Sequence, residues 1–434
     1  MRSAEPLLEG SLFRLITRGE LRVRFASGRQ VILGKAELGM PNVSIEFADA
    51  SAEWGMVFDP ALRLGELYME GRLKITSGDV YDLIALMKRN GVRKGATPPS
   101  IAAHALRTAA SYSRTRLSPD RSQRNVAHHY DLDARLFRLF LDRDLQYSCA
   151  YFEHDDQDLD AAQLAKKRHL AAKLLCAPDQ RVLDIGCGWG GMALYLANVC
   201  GANVDGITLS EEQLTIADQR AQAAELSERV HFQLKDYRGV DASYDRIISV
   251  GMFEHVGLAA YDTFFEHAAR LLDKRGIFVL HSIGRTRRLR APSPFIDKYI
   301  FPDCYIPALS EVLPAVERAG FLIKDVEVLP LHYAKTLRAW RERFLARRDE
   351  VIELYDERFL RMWEFYLAAS ESTFRHDRMF VFQLQLCRHQ DVVPIRRDYL
   401  VEQKTRLLAA EAMFPEYAAL HDSSQRTEPP KSSD

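Results

Sequence analysis

No stretch of this 434-residue chain reaches the roughly 20 consecutive apolar residues that a membrane-spanning helix requires. The opening segment, MRSAEPLLEGSLFRLITRGE, also lacks the long apolar run of a secretion signal. Cysteine is sparse and unpatterned: Cys149, Cys176, Cys187, Cys200, Cys304 and Cys387 show no CxxC spacing, which excludes an evident zinc knuckle or disulfide scaffold and suits a reducing compartment. An excess of one charge is missing too. A formal net charge of -1 argues against a chain that coats nucleic acid, so any basic surface must be local. The expectation is a cytoplasmic protein.

Hydrophobic residues at 47% and charged residues at 27% are ordinary for a globular chain, and the length is enough for two or three domains. From Leu21 the runs LRVRF, RQVILG and VSIEFA alternate and are broken by Gly, Pro and Asn, as small antiparallel strands would be. Val80 to Met87 has the apolar spacing of a packed helix, so residues 1-90 are expected to form a small α+β domain. Between Lys88 and Arg124 nine basic residues stand against one acid, Asp120, and residues 91-124 read as a basic linker able to meet an anionic bilayer surface. From Arg181, strand-like runs (VLDIG, NVDGITL, RVHFQL, YDRIISVGM, GIFVLHSIG) alternate with helical segments, which predicts a parallel sheet wrapped by helices within a domain over 125-418. An aromatic-rich insert follows at Pro292 to Pro307, Val351 to Leu386 reads as long helices, and residues 419-434 as a disordered tail.

The segment VLDIGCGWGG, residues 182 to 191, places an apolar strand before a glycine turn. Gly186, Gly188 and Gly190 let the backbone turn tightly and approach a ligand at the carboxyl end of the strand, and Asp184 precedes them. GxGxG in place of GxGxxG favours a methyltransferase-type site over a dinucleotide one. Thr208 and Gln213 flank the next strand end, where they can reach a ribose and methionine region, and Ser210 is a candidate N-cap for the run from Glu211. Capping alone explains Ser210. After the third strand, Asp236 and Tyr237 offer a carboxylate and an aromatic face to an adenine; without the neighbouring motifs either residue could be ordinary loop surface.

Four segments complete the pattern: QYSCAYF at 146 to 152, GMFEHVG at 251 to 257, LHSIG at 280 to 284 and LHYAKTL at 331 to 337. Together with HHYDLDARLF at 128 to 137 and FIDKYIFPD at 295 to 303, they resemble the cyclopropane fatty acid synthases, mycolic acid cyclopropane synthases included, across about residues 125 to 390. The resemblance implies a class I S-adenosylmethionine-dependent methyltransferase, an α/β Rossmann-like fold, with a small N-terminal α+β domain that associates with lipid. It implies S-adenosyl-L-methionine as cofactor, with Tyr147 and Ser148 beside it, and the acyl chains of unsaturated phospholipid as substrate. An alkene attacks the sulfonium methyl, and a base must then remove a methyl proton so that the ring closes. In this family the base is a bound bicarbonate, held by residues that match Cys149, Glu254, His281, Ile283 and Tyr333. No metal is implied. Attachment to the inner face of the membrane is expected to be peripheral, and a homodimer is carried over only from the longer family members.

A carbocation walled off from water calls for an apolar channel, for which Phe253, Tyr299, Phe301 and Tyr305 are candidate walls. The run Arg285 to Arg290 could meet phosphate or remain a solvated loop. Two positions depart from the family: Ala134 stands where HYDxxN carries asparagine, and Ser370 where many relatives carry cysteine, which argues against covalent catalysis there. The nearest alternative is a fatty acyl C-methyltransferase making methyl-branched or furan-precursor chains. A nucleic-acid amino-methyltransferase lacks support because Met252-Phe253-Glu254-His255 occupies the place of its Pro-Pro-aromatic motif. Intact cofactor and anion motifs disfavour a non-catalytic lipid carrier.

Overall fold

Alternation in Leu21-Arg22-Val23-Arg24 puts two apolar side chains on one face of a strand and two arginines on the other. In the computed structural model, Gly19–Arg24 (β1) buries the first pair and exposes the second. The structure describes residues 3–117, 133–286, 293–302 and 304–423. His128 to Leu132, Asp120, Arg121 and Arg124, the arginines at 287, 288 and 290, and most of the tail lie outside the described residues. The chain divides into two units: Met1–Leu117 with Leu289–Cys304 and Leu337–Met379, and Ser118–Arg288 with Tyr305–Thr336 and Phe380–Asp434.

In the first unit β1 joins Gln30–Lys35 (β2), Asn42–Phe47 (β3) and Leu73–Ser77 (β4) in the order β2-β1-β3-β4. Leu21, Val23, Val43, Ile45 and Phe47 pack with Leu8 and Leu12 of helix Glu5–Leu15 and Leu83 and Leu86 of helix Val80–Asn90. The strands were expected to be antiparallel throughout, but β3 runs parallel to β1. β2 ends opposite Gly19, at the start of β1, and Asn42 then pairs with Glu20 on the other edge of β1. A short crossover beginning at that end leaves β3 only the parallel direction.

Two further differences come from the same unit. Residues within the expected linker form helix Pro98–Leu117, opened by Thr97 and Ser100, whose hydroxyl and backbone groups bond one another, and by two prolines in its first turn. Arg107 of this helix pairs with Asp59 at 2.5 Å, and Lys88, on the helix before the linker, pairs with Asp377 at 2.8 Å. Helices Pro294–Tyr299 and Glu357–His376, expected within the domain over 125-418, belong to the first unit instead. Phe295 packs on Phe365 at 4.6 Å between ring centres, and the Tyr68 hydroxyl donates to Glu364 at 2.7 Å.

The second unit holds a seven-stranded sheet of Arg181–Ile185 (β5), Asn203–Thr208 (β6), Val230–Leu234 (β7), Tyr244–Val250 (β8), Leu272–Arg285 (β9), Leu322–Leu329 (β10) and Met379–Cys387 (β11), in the order β10-β11-β9-β8-β5-β6-β7. β5 to β9 coincide with the five expected runs and pair in parallel. β11 falls where a helix was expected. Its Gln383 and Gln385 are both fully buried and bond to His281 Nδ1 and the Lys173 carbonyl. From β5 the chain winds outward through β6 and β7, then returns to lay β8 on the other side of β5. The crevice at this reversal is where open α/β sheets bind ligands.

Gly190, at φ +82°, caps helix Gly191–Cys200, and a Cβ built there lies 2.6 Å from Phe232 Cζ. Gly190→Ala is expected to cost about 3 kcal/mol through left-handed strain and overpacking, read as a lowered urea midpoint with an unchanged slope.

Candidate active site

β5 ends in a turn that doubles back on its neighbour: the Gly186 and Cys187 N–H groups both donate to the Ile207 carbonyl, at 2.9 and 3.0 Å. Gly186 has φ +81°, and a Cβ there would meet Met252 at 2.7 Å; Gly188 has φ +56° and nothing within 4 Å of its Cβ position. The first glycine is demanded by packing and the second leaves open space above the backbone. A cleft opens here, lined by Tyr147, Ser148, Asp184, Gly186, Gly188, Thr208, Gln213, Asp236 and Tyr237. Nine of the eleven expected cofactor positions thus share one cleft. The other two, Gly190 and Ser210, do not line it: Gly190 packs on Phe232, and Ser210 caps helix Glu211–Ala223 by accepting the Gln213 N–H at 3.3 Å.

The lining groups are partly committed. Thr208 Oγ1 donates to Gln213 Oε1 at 2.8 Å, and Asp236 Oδ1 accepts from the Arg238 N–H and Nε at 2.8 and 2.9 Å. Tyr237 meets Phe264 edge-on at 5.2 Å. Asp184 Oδ2 is different: it is buried with no hydrogen-bond partner among the described residues, and burial pushes the carboxyl up to about 7 against the pull of Lys166.

A second cluster forms where β8 and β9 end. Glu254, only 4% exposed, follows β8, and its Oε1 accepts the Ile283 N–H of β9 at 2.6 Å. Its Oε2 has no hydrogen-bond partner among the described residues, and burial raises the carboxyl to about 7. His281 sits opposite Val250 in the β8–β9 pairing, and its Nδ1 faces the Gln383 amide at 3.2 Å. With the Gln383 Nε2 group donating, Nδ1 is the acceptor and the ring proton lies on Nε2. Burial first, then the charges of Lys166 and Lys173, hold the ring well below the usual histidine range, so it is neutral. Cys149 and Tyr333 belong to the same unit, on two segments that are joined to each other. The first turn of helix His332–Ala346 is laced to the segment after Cys149, with Thr336 Oγ1 accepting the Ala150 N–H at 3.1 Å and His332 Nδ1 accepting the Phe152 N–H at 3.0 Å. Burial pushes the Cys149 thiol far up, so it is not a thiolate.

The two clusters are joined through the backbone. The Gly251 N–H donates to the His281 carbonyl at 2.9 Å, and Gly251 and Met252 line the cleft. Two expectations change, and two residues are placed in the other unit. The Ile283 N–H is occupied by Glu254, so Ile283 fixes that carboxylate and offers no free donor to an anion. Phe253 is no channel wall: it is fully buried, stacked on Tyr261 at 4.5 Å and tilted against Phe264 at 5.1 Å. Tyr299 and Phe301 fall in the first unit, where the Tyr299 hydroxyl bonds Glu66 and Phe301 packs edge-on to Tyr366. Trp189 and His255 also line the cleft and were not anticipated, although each is a direct neighbour of a residue that was.

A seven-stranded sheet with this winding, and a glycine turn at the carboxyl end of its first strand, define a class I S-adenosylmethionine-dependent methyltransferase. The sequence profile of mycolic acid cyclopropane synthetases matches residues 117–384. The cyclopropane-fatty-acyl-phospholipid synthase of Escherichia coli K12 is 38% identical over 328 residues, 76% of this chain and 83% of its own. A probable fatty acid methyltransferase of Pseudomonas putida is 35% identical over 395 residues, 87% and 95% of the two chains. Among solved structures, mycolic acid cyclopropane synthase CmaA1 complexed with SAH and CTAB is 35% identical and superposes with a TM-score of 0.59 over 62% of this chain and 99% of its own. The chain belongs to this family of cyclopropane synthase enzymes.

Folding raises the Glu254 carboxyl from 4.5 to about 7, so its protonated form favours the folded state. That contribution is fully present below pH 4.5 and withdrawn as pH climbs through 7. Glu254→Gln removes the titration. The variant is expected to match the wild type in stability at pH 4.5 and to exceed it above pH 7, by up to about 3 kcal/mol, in paired denaturant titrations.

Proposed function

We propose that this enzyme transfers a methylene unit from S-adenosylmethionine to the cis double bond of an unsaturated phospholipid acyl chain, closing a cyclopropane ring with bicarbonate as the base. The observation that carries the reading is Glu254: a carboxyl buried beside the cofactor cleft, pinned through one oxygen to the Ile283 N–H and bare on the other. Leaving such an atom unpaired costs on the order of 1–3 kcal/mol, a cost that a bound partner removes.

The residues present fit the donor. Gly188 leaves room for a ligand to lie against the backbone, and Asp184 Oδ2 offers an unpaired acceptor to an ammonium group. Thr208 and Gln213 suit the ribose and methionine region; Asp236 and Tyr237 suit the adenine. Bound there, S-adenosylmethionine supplies an electrophilic methyl group. Bicarbonate would be held by Glu254, His281, Tyr333 and the backbone at Cys149. Neutral His281 donates through Nε2, and Glu254 Oε2 can accept or hold a proton at the site. Burial of all these groups but Tyr333, which is half-buried, excludes bulk water, which would otherwise quench a cation as an alcohol.

No described helix is long and apolar enough to cross a membrane. The reading therefore includes reversible attachment to the anionic bilayer surface through basic residues near 88-124. Binding to vesicles containing anionic lipid is expected to weaken at high salt; binding that does not change between low and high salt removes that attachment.

Mass spectrometry of phospholipid from a host expressing the chain, fed methyl-labelled methionine, tests the reaction. The expected product is an acyl chain heavier by one labelled methylene, with its double bond consumed. A labelled branched chain would instead establish the C-methyltransferase outcome. Glu254→Gln is expected to keep S-adenosylhomocysteine affinity within about twofold and to lower turnover by about 100-fold, the scale of a lost acid–base contribution. A variant near the native rate removes Glu254 from the mechanism.

A further inference from the structure

Lys166 has no part in the reading above, yet it is bonded to two residues that line the cofactor cleft. It lies on helix Leu159–Leu174 and is 1% exposed. Its ammonium donates to Gln146 Oε1 at 2.6 Å and to Ser148 Oγ at 2.8 Å, and both acceptor residues line the cofactor cleft with Tyr147 between them. Its charge is felt by Asp184 in the cleft and by Cys149 and His281 of the second cluster. Asp142 and Asp144 are its balancing carboxylates, and Lys167 its like-charged neighbour.

A buried ammonium is an expensive way to hold a loop, and this loop is held without it. Gln163 Nε2 donates to the carbonyls of Gln146 and Ser148 at 3.2 and 2.9 Å, and Lys167 donates to Asp144 at 2.6 Å. A methionine at 166 would fill the same volume at a lower desolvation cost. What Lys166 adds is control of the side-chain ends of Gln146 and Ser148.

We propose that Lys166 is a positioning residue for the methyl donor: by donating to Gln146 and Ser148 at once it sets the Gln146-Tyr147-Ser148 wall of the cleft. This rests on the assignment of the cleft to S-adenosylmethionine. Burial draws the lysine down to about 8, so the ammonium form still predominates at neutral pH.

Calorimetric titration of the full chain with S-adenosylhomocysteine tests it, alongside the KM values for donor and phospholipid. Lys166→Met is expected to weaken binding about tenfold and to raise the donor KM in step, with the lipid KM unchanged. Ser148→Ala is expected to lose part of the same affinity, and the double variant no more than Lys166→Met alone. Equal affinity in the wild type and Lys166→Met, or additive losses in the double variant, overturns the lysine's role while leaving the donor site standing. A wild-type chain that does not bind S-adenosylhomocysteine overturns the donor assignment and the proposal together. Should Lys166→Met fail to fold, Ser148→Ala and Gln146→Leu carry the test, and wild-type affinity in both overturns it.

Discussion

The hydrogen bond from the Ile283 N–H to Glu254 Oε1 ties the end of β8 to the end of β9, and the chemical surroundings are arranged around that link. β8 pairs with β5 on one side and β9 on the other, all three in parallel. Parallel strands end on the same side. The glycine turn after β5, the Met252-Phe253-Glu254 segment after β8 and His281 on β9 are therefore delivered to one edge of the sheet by topology. Within that edge the backbone finishes the alignment: Gly251 bonds the His281 carbonyl, and Gly186 can approach Met252 because it has no side chain. A cofactor cleft and a buried carboxyl become neighbours without any long side chain having to bridge them.

Burial then sets the chemistry. Asp184 and Glu254 each keep one oxygen unpaired in a dry interior, and both carboxyls are pushed up to about 7. Two like carboxyls with the same shift have different surroundings. Asp184 opens on the cleft and feels a lysine; Glu254 is held by a backbone N–H and stands beside a neutral histidine. A group poised near neutrality can give or take a proton with small changes around it, and folding stability is the cost of that poise.

The legible part of this molecule was the part in which local pattern and tertiary role coincide. β5 to β9 are apolar runs closed by turn residues, and each became a parallel strand; VLDIGCGWGG named its own geometry because left-handed turns need glycine. What stayed hidden was set by partners distant in sequence. β3 is parallel because of where β2 ends, which alternation does not encode. β11 buries both faces, so the alternation of Gln383-Leu384-Gln385-Leu386 does not mark a solvent side, and most of the strand reads as one apolar run. Pro294–Tyr299 and Glu357–His376 carry nothing in their own sequences that assigns them to the N-terminal sheet. Helix Pro98–Leu117 was readable, since Thr97-Pro98-Pro99-Ser100 is a helix-start signal, but the density of basic residues suggested a solvated connector.

Helix Leu159–Leu174 shows the same limit in its sharpest form. LDAAQLAKKRHLAAKL has the charge content of a surface helix, yet every residue but Asp160 is buried. The structure accounts for this by pairing: Lys167 with Asp144 at 2.6 Å, Arg168 with Glu411 at 2.9 Å and Glu153 at 3.0 Å, and His169 with Glu327 at 2.7 Å. Each partner comes from a different segment of the unit, so the helix can be buried only after those segments have assembled around it. Apolar side chains would make a helix in this position cheaper to bury. Charged ones instead lock Asp144 and Glu153, on the segments that lead into and out of the site, in one place relative to the sheet. Lys166 extends that lock to the cleft itself, which explains why a run of cations is tolerated at the centre of the unit.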